Sequence, residues 1–538
     1  MTSTDTSDVQ LSVCMIVRDN EDILEPCLAS IRPWVDEIVV VDTGSKDNTI
    51  EIARRHGAQI FHFPWCDDFA AARNESLRHA RGKWLFWMDS DDTISEECGR
   101  KLQALAAQEH SESLFGFVCQ VHCPGQDIDA DVTVVDHVKM FRNHPEIRFE
   151  GRIHEQILGS IRDLNGEIAW TDVYVSHSGS DQSPAGRRRK QERDMRLLEL
   201  DAQERPNHPF VLFNLGMTYA DMEQFDDAIV ALEKCIEVAK PEESHVRKAY
   251  ALLANSFSRL SRFEDALECC RKGLGLFPDD PELLFRQGIN QHHFGRNEEA
   301  IELYVKAMRP TRTRQLSSVD RGINGFKARH NLAVVYHDMN NLEMAEYHWR
   351  AILREEPNYR VAAACLGRAL LTQVKLAAAE VFAEKLSETA KLRGEGLILQ
   401  AQVAVHRKDH TRAHGLFSAA VSEYPDDAIV QESQARFLFE YGEGSEAHAA
   451  LSRLVVLSPS DGAAWHNLGV VNRRLNRLRE AQAAFQESMR VRLDSPATVT
   501  QLQEVLKELG DDSVVAELQT HVDRQSDLTG RLSETASP

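Results

Sequence analysis

Residues 84–92 read WLFWMDSDD, an apolar run that ends in three aspartates. Residues 37–45 read EIVVVDTGS and have the same form earlier in the chain. Short apolar runs that alternate with helical stretches predict a mostly parallel sheet, and the acidic ends of its strands then lie at the edge where ligands bind. We therefore predict an α/β domain at residues 11–185, with Asp42 and Asp89 at one edge of its sheet.

The acidic cluster that follows the second apolar run has the composition of a cation site. Carboxylate oxygens are the ligands that Mg²⁺ and Mn²⁺ prefer, and such ions are commonly shared with substrate phosphates. A bound cation would neutralise charge that develops on a leaving diphosphate. A solvated loop or a helix cap is the alternative for Asp89, Asp91 and Asp92, and a helix cap is the alternative for Asp42.

The C-terminal three-fifths of the chain repeats itself with a period of 34 residues. Five alanines keep this period without a break: Ala345, Ala379, Ala413, Ala447 and Ala481. Small residues at this position allow the two helices of a tetratricopeptide repeat to cross closely. Because each helix pair leaves an apolar face that its neighbour covers, we predict a solenoid of eight repeats over residues 209–495, with an insert near residues 311–319. Its groove is expected to bind a peptide or protein segment.

Shorter segments flank these two parts. Residues 1–10 are polar, lack the features of a signal peptide and are predicted to be disordered. Residues 186–208 are predicted to form a helical linker, and its basic run is interpreted as a solvated face, with contact to phosphate or anionic lipid as the alternative. Capping helices are predicted at residues 496–522 and a flexible tail at residues 523–538.

The composition excludes several classes of protein. The 538 residues carry 84 acidic and 62 basic side chains, and this net charge of −22 argues against a nucleic-acid partner. No run of 18 apolar residues occurs, so no transmembrane segment is predicted. Ten scattered cysteines without a CxxC pair are typical of reduced thiols, and a cytoplasmic protein is expected.

The ordered motifs resemble glycosyltransferase family 2, whose members have the GT-A fold, a Rossmann-like nucleotide-sugar domain. A bacterial branch of this family, with fused tetratricopeptide repeats, is the most similar, and it also has a late histidine, here His177. The stretches that carry the resemblance are 15–21 (MIVRDNE), 39–49 (VVVDTGSKDNT), 68–74 (DFAAARN), 85–92 (LFWMDSDD) and 149–155 (FEGRIHE).

The resemblance implies a site for a nucleotide-sugar donor. Asp42 would contact the nucleotide base, which is uracil for a UDP-sugar. Arg73 and Asn74 would approach the donor. A surface ion pair with Glu75 or Asp67 is the alternative for the arginine.

The resemblance also implies a divalent metal as cofactor, either Mn²⁺ or Mg²⁺. Asp89, Asp91 and His177 would bind it, and Asp89 would also bind the ribose and diphosphate of the donor. An incidental histidine at the end of a strand is the alternative for His177.

The chain departs from the wider family where the catalytic base is expected. The usual Glu-Asp pair is absent, and His154 and Glu155 stand in its place. Inverting transfer needs a base that takes a proton from the acceptor, and a carboxylate or an imidazole can do so. We assign Glu155 as this base, with His154 orienting it or contacting phosphate. A structural His154 and a solvated Glu155 are the alternative.

Two functions are compatible with these motifs and repeats. The first is a metal-dependent, inverting glycosyltransferase of hexosyltransferase type, which moves a sugar from a UDP-sugar to an acceptor held near the repeats. The acceptor is left open among a protein, a saccharide and a lipid-linked molecule. The alternative is a tetratricopeptide scaffold whose N-terminal domain binds a nucleotide sugar without catalysis.

Overall fold

A computed structural model describes residues 9–123, 133–179, 183–309, 319–491 and 495–511. The chain divides into two compact units, Met1–Met344 and Ala345–Pro538. Most of the predicted disordered start, most of the predicted insert, the second half of the predicted capping segment and the whole predicted tail lie outside the described residues.

The first unit begins with an α/β part. Its sheet has nine described strands: β1 (Leu11–Val17), β2 (Glu37–Asp42), β3 (Gln59–His62), β4 (Trp84–Trp87), β5 (Asp92–Thr93), β6 (Leu114–Cys123), β7 (Thr133–Arg142), β8 (Glu167–His177) and β9 (Val319–Asp320). The helices between them are α1 (Leu24–Ile31), α2 (Thr49–Arg55), α3 (Phe69–His79), α4 (Glu96–Ala107) and α5 (Leu158–Asp163).

The sheet is parallel in one half and mixed in the other. Its order is β3-β2-β1-β4-β7-β6-β8-β5, with β9 paired to β7. Strands β1 to β4 pair in parallel, whereas β7 is antiparallel to both β4 and β6, and β5 is antiparallel to β8. The prediction of a mostly parallel sheet therefore applies to β1 to β4, whereas the other half combines the parallel pair of β6 and β8 with antiparallel pairs, which need no crossover helix.

The parallel strands are buried on both faces. Val13 and Met15 of β1 belong to an apolar cluster that includes Leu28 of α1 and Leu102 of α4. Cys14, between them, belongs to the cluster on the opposite face. Since both faces are covered, the carboxyl ends of these strands are where polar side chains can gather.

Helix α6 (Pro184–Glu204) follows β8 in the sequence and packs against the loop that contains Ile153. Leu197 and Leu198 of α6 form a buried cluster with Ile153 of the α/β part. Arg196 binds Asp67 through two hydrogen bonds of 2.6 and 2.8 Å. The predicted linker is therefore helical, as expected, but it is also a structural element of the α/β part.

A long series of helices completes the chain. The sixteen helices that follow α6 in the described residues, the number that eight helix pairs require, are α7 (Pro209–Asp221), α8 (Phe225–Val238), α9 (Ser244–Arg259), α10 (Phe263–Leu276), α11 (Pro281–His293), α12 (Asn297–Ala307), α13 (Phe326–Asp338), α14 (Leu342–Glu355), α15 (Arg360–Thr372), α16 (Leu376–Glu388), α17 (Arg393–His406), α18 (His410–Glu423), α19 (Ala428–Tyr441), α20 (Gly444–Leu457), α21 (Gly462–Arg474) and α22 (Leu478–Val491). Helix α23 (Pro496–Leu509) comes last in the described part. The predicted fold class, an α/β domain followed by a helical array, is confirmed.

The small residues of the repeat pattern lie where helices cross. All five anchor alanines are at most 2% exposed. Gly216 of α7 shows why the position must be small, because a Cβ atom there would lie 2.5 Å from Cγ of Leu232 in α8. At the equivalent position of α21, a Cβ atom added to Gly469 would lie 2.6 Å from the ring of Phe485 in α22.

Candidate active site

The acidic motif after β4 meets the end of β8. Asp92, the first residue of β5, stands opposite His177 in the antiparallel ladder of β5 and β8. The Asp92 amide donates to the Asp89 carbonyl at 3.1 Å, which closes a tight turn. This pairing brings His177 to the motif, although 85 residues separate it from Asp92.

Arg73 of α3 joins two of the predicted site residues. Its guanidinium donates to Oδ1 of Asp89 at 2.6 Å and to Oε1 of Glu155. It lies over the ring of Trp87, 4.4 Å from the centroid, and Arg73 is only 6% exposed. We call this arrangement of Arg73, Asp89 and Glu155 the arginine clasp. The surface-pair alternative for Arg73 is wrong, and so is the alternative of a solvated Glu155, whose side chain is 10% exposed.

Asp92 is the centre of a buried polar network. Lys139 of β7 donates to Oδ2 of Asp92 at 2.6 Å, and both side chains are fully buried. Nδ1 of His177 lies 3.0 Å from Oδ1 of Asp92, and the Asp89 amide donates to Oδ2 at 3.2 Å. The solvated-loop alternative is therefore wrong for Asp92, which holds both His177 and the Asp89 turn in place.

Lys139 is a site residue that sequence reasoning missed. It stands in the run VVDHVKMF, where apolar residues dominate. A lysine is almost never fully buried unless it is paired, so its place in an apolar strand was the available signal for a buried carboxylate. The signal does not name the partner, because Asp92 lies 47 residues away.

A group of possible metal ligands lies at this strand end. Asp89, Asp92 and His177 each offer a ligand atom, and these atoms lie within 4.8 Å of one another. Oδ1 of Asp91 lies 3.3 Å from Nδ1 of His177. The structure thus groups Asp89 and His177 with Asp92, whereas Asp91 contacts His177 without belonging to this group, and its role as a metal ligand stays a prediction.

The charges of the cluster are unevenly compensated. Burial acts to raise the pKa of Asp89, but the cations of Arg73 and Lys139 outweigh it and hold that pKa well below its usual range. Burial and the neighbouring aspartates raise the pKa of Asp91 against the effect of His177. The hydrogen bond to Asp92 raises the pKa of His177 and exceeds the opposing effect of burial.

The loop that carries His154 and Glu155 folds back on itself. Glu150 and Gln156 exchange backbone hydrogen bonds of 3.0 and 2.9 Å. Gly151 and His154 have positive φ angles of 103° and 52°, which allow the chain to reverse. The reversal sets Glu155 against Arg73, and burial lowers the pKa of His154.

Two predicted donor contacts have local partners. Asp42 accepts from the amides of Ser45 at 3.0 Å and Gly44 at 3.2 Å, so it caps the turn after β2. Both polar atoms of the Asn74 amide bind the backbone of Phe149, at 2.8 and 2.9 Å. Asn74 thereby anchors the segment that leads to Glu155. A contact of either residue with a donor stays a prediction.

The arginine clasp opens into a cavity of about 470 Å³. Asp89, His154, Glu155 and His177 line one side of it. Residues of α6, α7 and α9 also line it, so the first repeats contribute to the same cavity. Another cavity, of about 750 Å³, lies between α21 and α23, and none of the predicted site residues lines it.

Family models match both parts of the chain. Residues 12–134 match the model of glycosyl transferase family 2. Models of the tetratricopeptide repeat match residues 211–241, 252–312 and 433–490. The family 2 range covers the α/β part as far as the start of β7, and the repeat ranges lie in the helical array.

Curated relatives cover part of the chain. A TPR repeat-containing protein of Synechococcus elongatus is 33% identical over 38% of this chain and 51% of its own length. The SPbeta prophage-derived glycosyltransferase SunS of Bacillus subtilis is 26% identical over 49% of this chain and 64% of its own length. The chain therefore spans about half to two-thirds of the length of these relatives.

Solved structures resemble the helical array only distantly. A tetratricopeptide repeat protein of Parabacteroides merdae is 18% identical, with a TM-score of 0.34 over 48% of this chain and 98% of that protein.

In the residues that the structure describes, no helix combines the length and apolar character that crossing a membrane requires.

Proposed function

We propose that this chain transfers a sugar from a nucleotide sugar to an acceptor. Residues 12–134 match the model of glycosyl transferase family 2, and tetratricopeptide repeats follow them in the sequence. The donor is a UDP-sugar, and the transfer inverts the anomeric centre. The arginine clasp carries the proposal, since it joins an acidic cluster of metal-binding type to a candidate base at the wall of one cavity.

The donor atoms of the cluster suit a divalent cation. Asp89 and Asp92 each bind a cationic side chain, whereas Asp91 has the imidazole of His177 as its one ion-pair partner among the described residues. Burial, together with the neighbouring carboxylates of Asp89 and Asp92, raises the pKa of Asp91, and a bound cation would oppose both effects. Asp89, Asp91 and His177 would hold Mn²⁺ or Mg²⁺, which supplies positive charge for the leaving diphosphate.

The protein's own groups supply the remaining chemistry. The acceptor attacks the anomeric carbon as the bond from that carbon to the diphosphate oxygen breaks. Glu155 takes the proton of the acceptor, and the clasp holds its carboxylate beside Asp89. Arg73 keeps both groups in fixed positions, and such fixed charges are where much of an enzyme's rate enhancement arises.

The nucleotide base of the donor would lie nearer to the end of β2 than to the end of β4. Asp42 and Asp89 follow strands that flank β1, so the two residues are at one edge of the sheet. In proteins with parallel strands, ligands bind at this edge. The position supports a contact between Asp42 and the nucleotide, in addition to the turn that Asp42 caps.

The test is release of nucleotide from a panel of nucleotide sugars, with MnCl₂ present. We expect Asp91→Asn to lower the rate at least about 100-fold, as for loss of a group that acts only in the transition state. The matched control is Asp172→Asn, because the side chain of Asp172 is 77% exposed and pairs with Lys101 on the surface. Full activity in Asp91→Asn would refute the metal assignment. A wild-type chain that releases no nucleotide from any donor, but binds UDP in calorimetry, would favour the non-catalytic scaffold.

A further inference from the structure

Three lysines contribute positive charge to the wall of the cavity that the arginine clasp opens into: Lys139, Lys190 and Lys248. Two of them are paired inside the protein. Lys139 binds Asp92 at 2.6 Å, and Lys248 binds both carboxylate oxygens of Glu282 at 2.8 Å. Within the described residues, the ammonium group of Lys190 makes neither a hydrogen bond nor an ion pair. Lys190 is therefore the lysine of this wall whose charge is available to a ligand.

Lys190 belongs to the face of α6 that packs inward. Gly186 and Asp194, one turn before it and one turn after it, are both buried, and so are Leu197 and Leu198 further along the helix. Residues three or four positions apart share one face of a helix. On this otherwise buried face, Lys190 is exposed where it borders the cavity.

This position separates the interpretations that the sequence leaves open for the basic run 187–190. Arg187 and Arg188 are exposed outside the lining of the cavity, so a solvated face describes them. Lys190 fits contact with a phosphate better than contact with an anionic lipid, because the surface of a bilayer cannot enter a cavity of about 470 Å³.

Lys190 is within electrostatic range of both halves of the candidate site. Burial and the charge of Asp92 raise the pKa of the Cys123 thiol, and Lys190 opposes them. Burial lowers the pKa of His154, which feels Glu155 on one side and Lys190 on the other. Cys123 and His154 line the same cavity as Lys190. A ligand that extends from the acidic motif into this cavity can therefore reach the ammonium group.

The charges of the site explain why such a ligand needs a further cation. The site combines four carboxylates with two permanent cations, namely Asp89, Asp91, Asp92 and Glu155 with Arg73 and Lys139. The excess of two negative charges is what one divalent cation would neutralise. A diphosphate brings negative charge of its own, and none of these groups is left to compensate it.

We propose that Lys190 is a donor-binding residue whose ammonium group donates hydrogen bonds to the diphosphate of the nucleotide sugar. When the bond from the anomeric carbon to the diphosphate oxygen breaks, the electron pair stays on that oxygen, and the fixed charge of Lys190 stabilises it. The inference rests on the proposed function. It adds a residue of α6, a helix outside the range 12–134 that matches the family 2 model.

The test is calorimetric binding of UDP and UMP to the full chain with MnCl₂ present. We expect Lys190→Met to raise the Kd of UDP at least about 10-fold, because a hydrogen bond to a charged group contributes that factor or more. The Kd of UMP, which has no diphosphate, should rise less, so the preference for UDP over UMP falls. Lys190→Arg keeps the charge and should recover most of the affinity for UDP.

Arg188→Met is the matched control. It removes one positive charge from the same helix, but Arg188 is exposed outside the lining of the cavity, so the Kd of UDP should not change. An equal Kd of UDP for the wild type and Lys190→Met would overturn the inference. Equal increases in Lys190→Met and Arg188→Met, or equal increases for UDP and UMP, would overturn it as well.

Nucleotide release by the wild type is measured in parallel and tests the proposed function separately. If the panel of nucleotide sugars identifies a donor with another base, its diphosphate and monophosphate replace UDP and UMP. A chain that binds the diphosphate through Lys190 but releases nucleotide from no donor refutes the proposed function. Active release with diphosphate binding insensitive to Lys190→Met refutes this inference alone, and a chain that binds no nucleoside diphosphate refutes both.

Discussion

Arg73 connects two motifs that are far apart in the chain, because one guanidinium binds both Asp89 of the acidic motif and Glu155, 82 residues beyond the arginine. We expect Arg73→Lys to lower the rate of sugar transfer at least about 100-fold, since an ammonium group cannot hold two carboxylates in the fixed geometry of a guanidinium. Nucleotide release under saturating donor measures the effect.

Arg78→Lys is the control for this substitution. Arg78 is on the same helix, but it pairs with Glu75 at the surface and is 69% exposed. Such pairs contribute little, so wild-type activity is expected. If Arg73→Lys were as active as Arg78→Lys, with both folded by circular dichroism, the clasp would have no part in catalysis.

The ion pair of Lys139 and Asp92 is a separate residue-scale feature, fully buried below the site. Removal of one partner leaves a buried charge uncompensated, so Lys139→Met is expected to destabilise the fold by about 3–5 kcal/mol. Because Lys139→Met and Asp92→Asn remove the same interaction, the double variant should lose less than the sum of the two. The midpoint of urea unfolding measures each loss, and strictly additive losses would contradict the pairing.

At the scale of the element, the helix pair α7 and α8 depends on the lack of a side chain at Gly216. An added methyl group would lie 2.5 Å from Cγ of Leu232, so Gly216→Ala is expected to destabilise the pair by about 1–3 kcal/mol. Gly275→Ala in α10 is the control, because no atom lies within 4 Å of its imagined Cβ. That substitution should be neutral or stabilise by up to about 1 kcal/mol. Urea unfolding measures the change in the free energy of unfolding for both variants, and equal destabilisation would refute the packing argument.

At the scale of the whole molecule, the same substitution is expected to have different consequences in the two units. Gly469→Ala brings a methyl group within 2.6 Å of Phe485, so it destabilises the last repeat. Repeats contact chiefly their neighbours, and α21 lies in the second unit, so nucleotide release should stay at the wild-type rate. Gly216→Ala should lower it, because α7 lines the cavity of the clasp. Equal losses of activity in the two variants would contradict this separation.

Patterns that repeat locally were enough to predict the fold class. The 34-residue spacing of the anchor alanines and the apolar runs before Asp42 and Asp89 are visible in the sequence without knowing which elements contact each other. The mixed half of the sheet was not predictable in this way. It depends on pairings such as Asp92 with His177, which join strands far apart in the chain, and no local pattern encodes the partner of a strand.

The candidate site was predictable to a similar extent. Family motifs pointed to Asp89, Asp91 and His177, and the structure places Asp89 and His177 in one group with Asp92, while Asp91 contacts His177. The partners that hold them, Lys139 above all, were missed because they lie on strands whose positions follow from the tertiary fold.

Helix α6 determines where the chain can be truncated. Arg152, in the loop that precedes Glu155, binds Glu204 near the end of α6, and its amide donates to Asp201 at 3.2 Å. A fragment that ends at residue 185, the predicted end of the α/β domain, would lack Asp201 and Glu204. The loop that carries Glu155 would then lose both of these contacts. A fragment designed to crystallise the α/β part with its candidate site should therefore extend past Glu204.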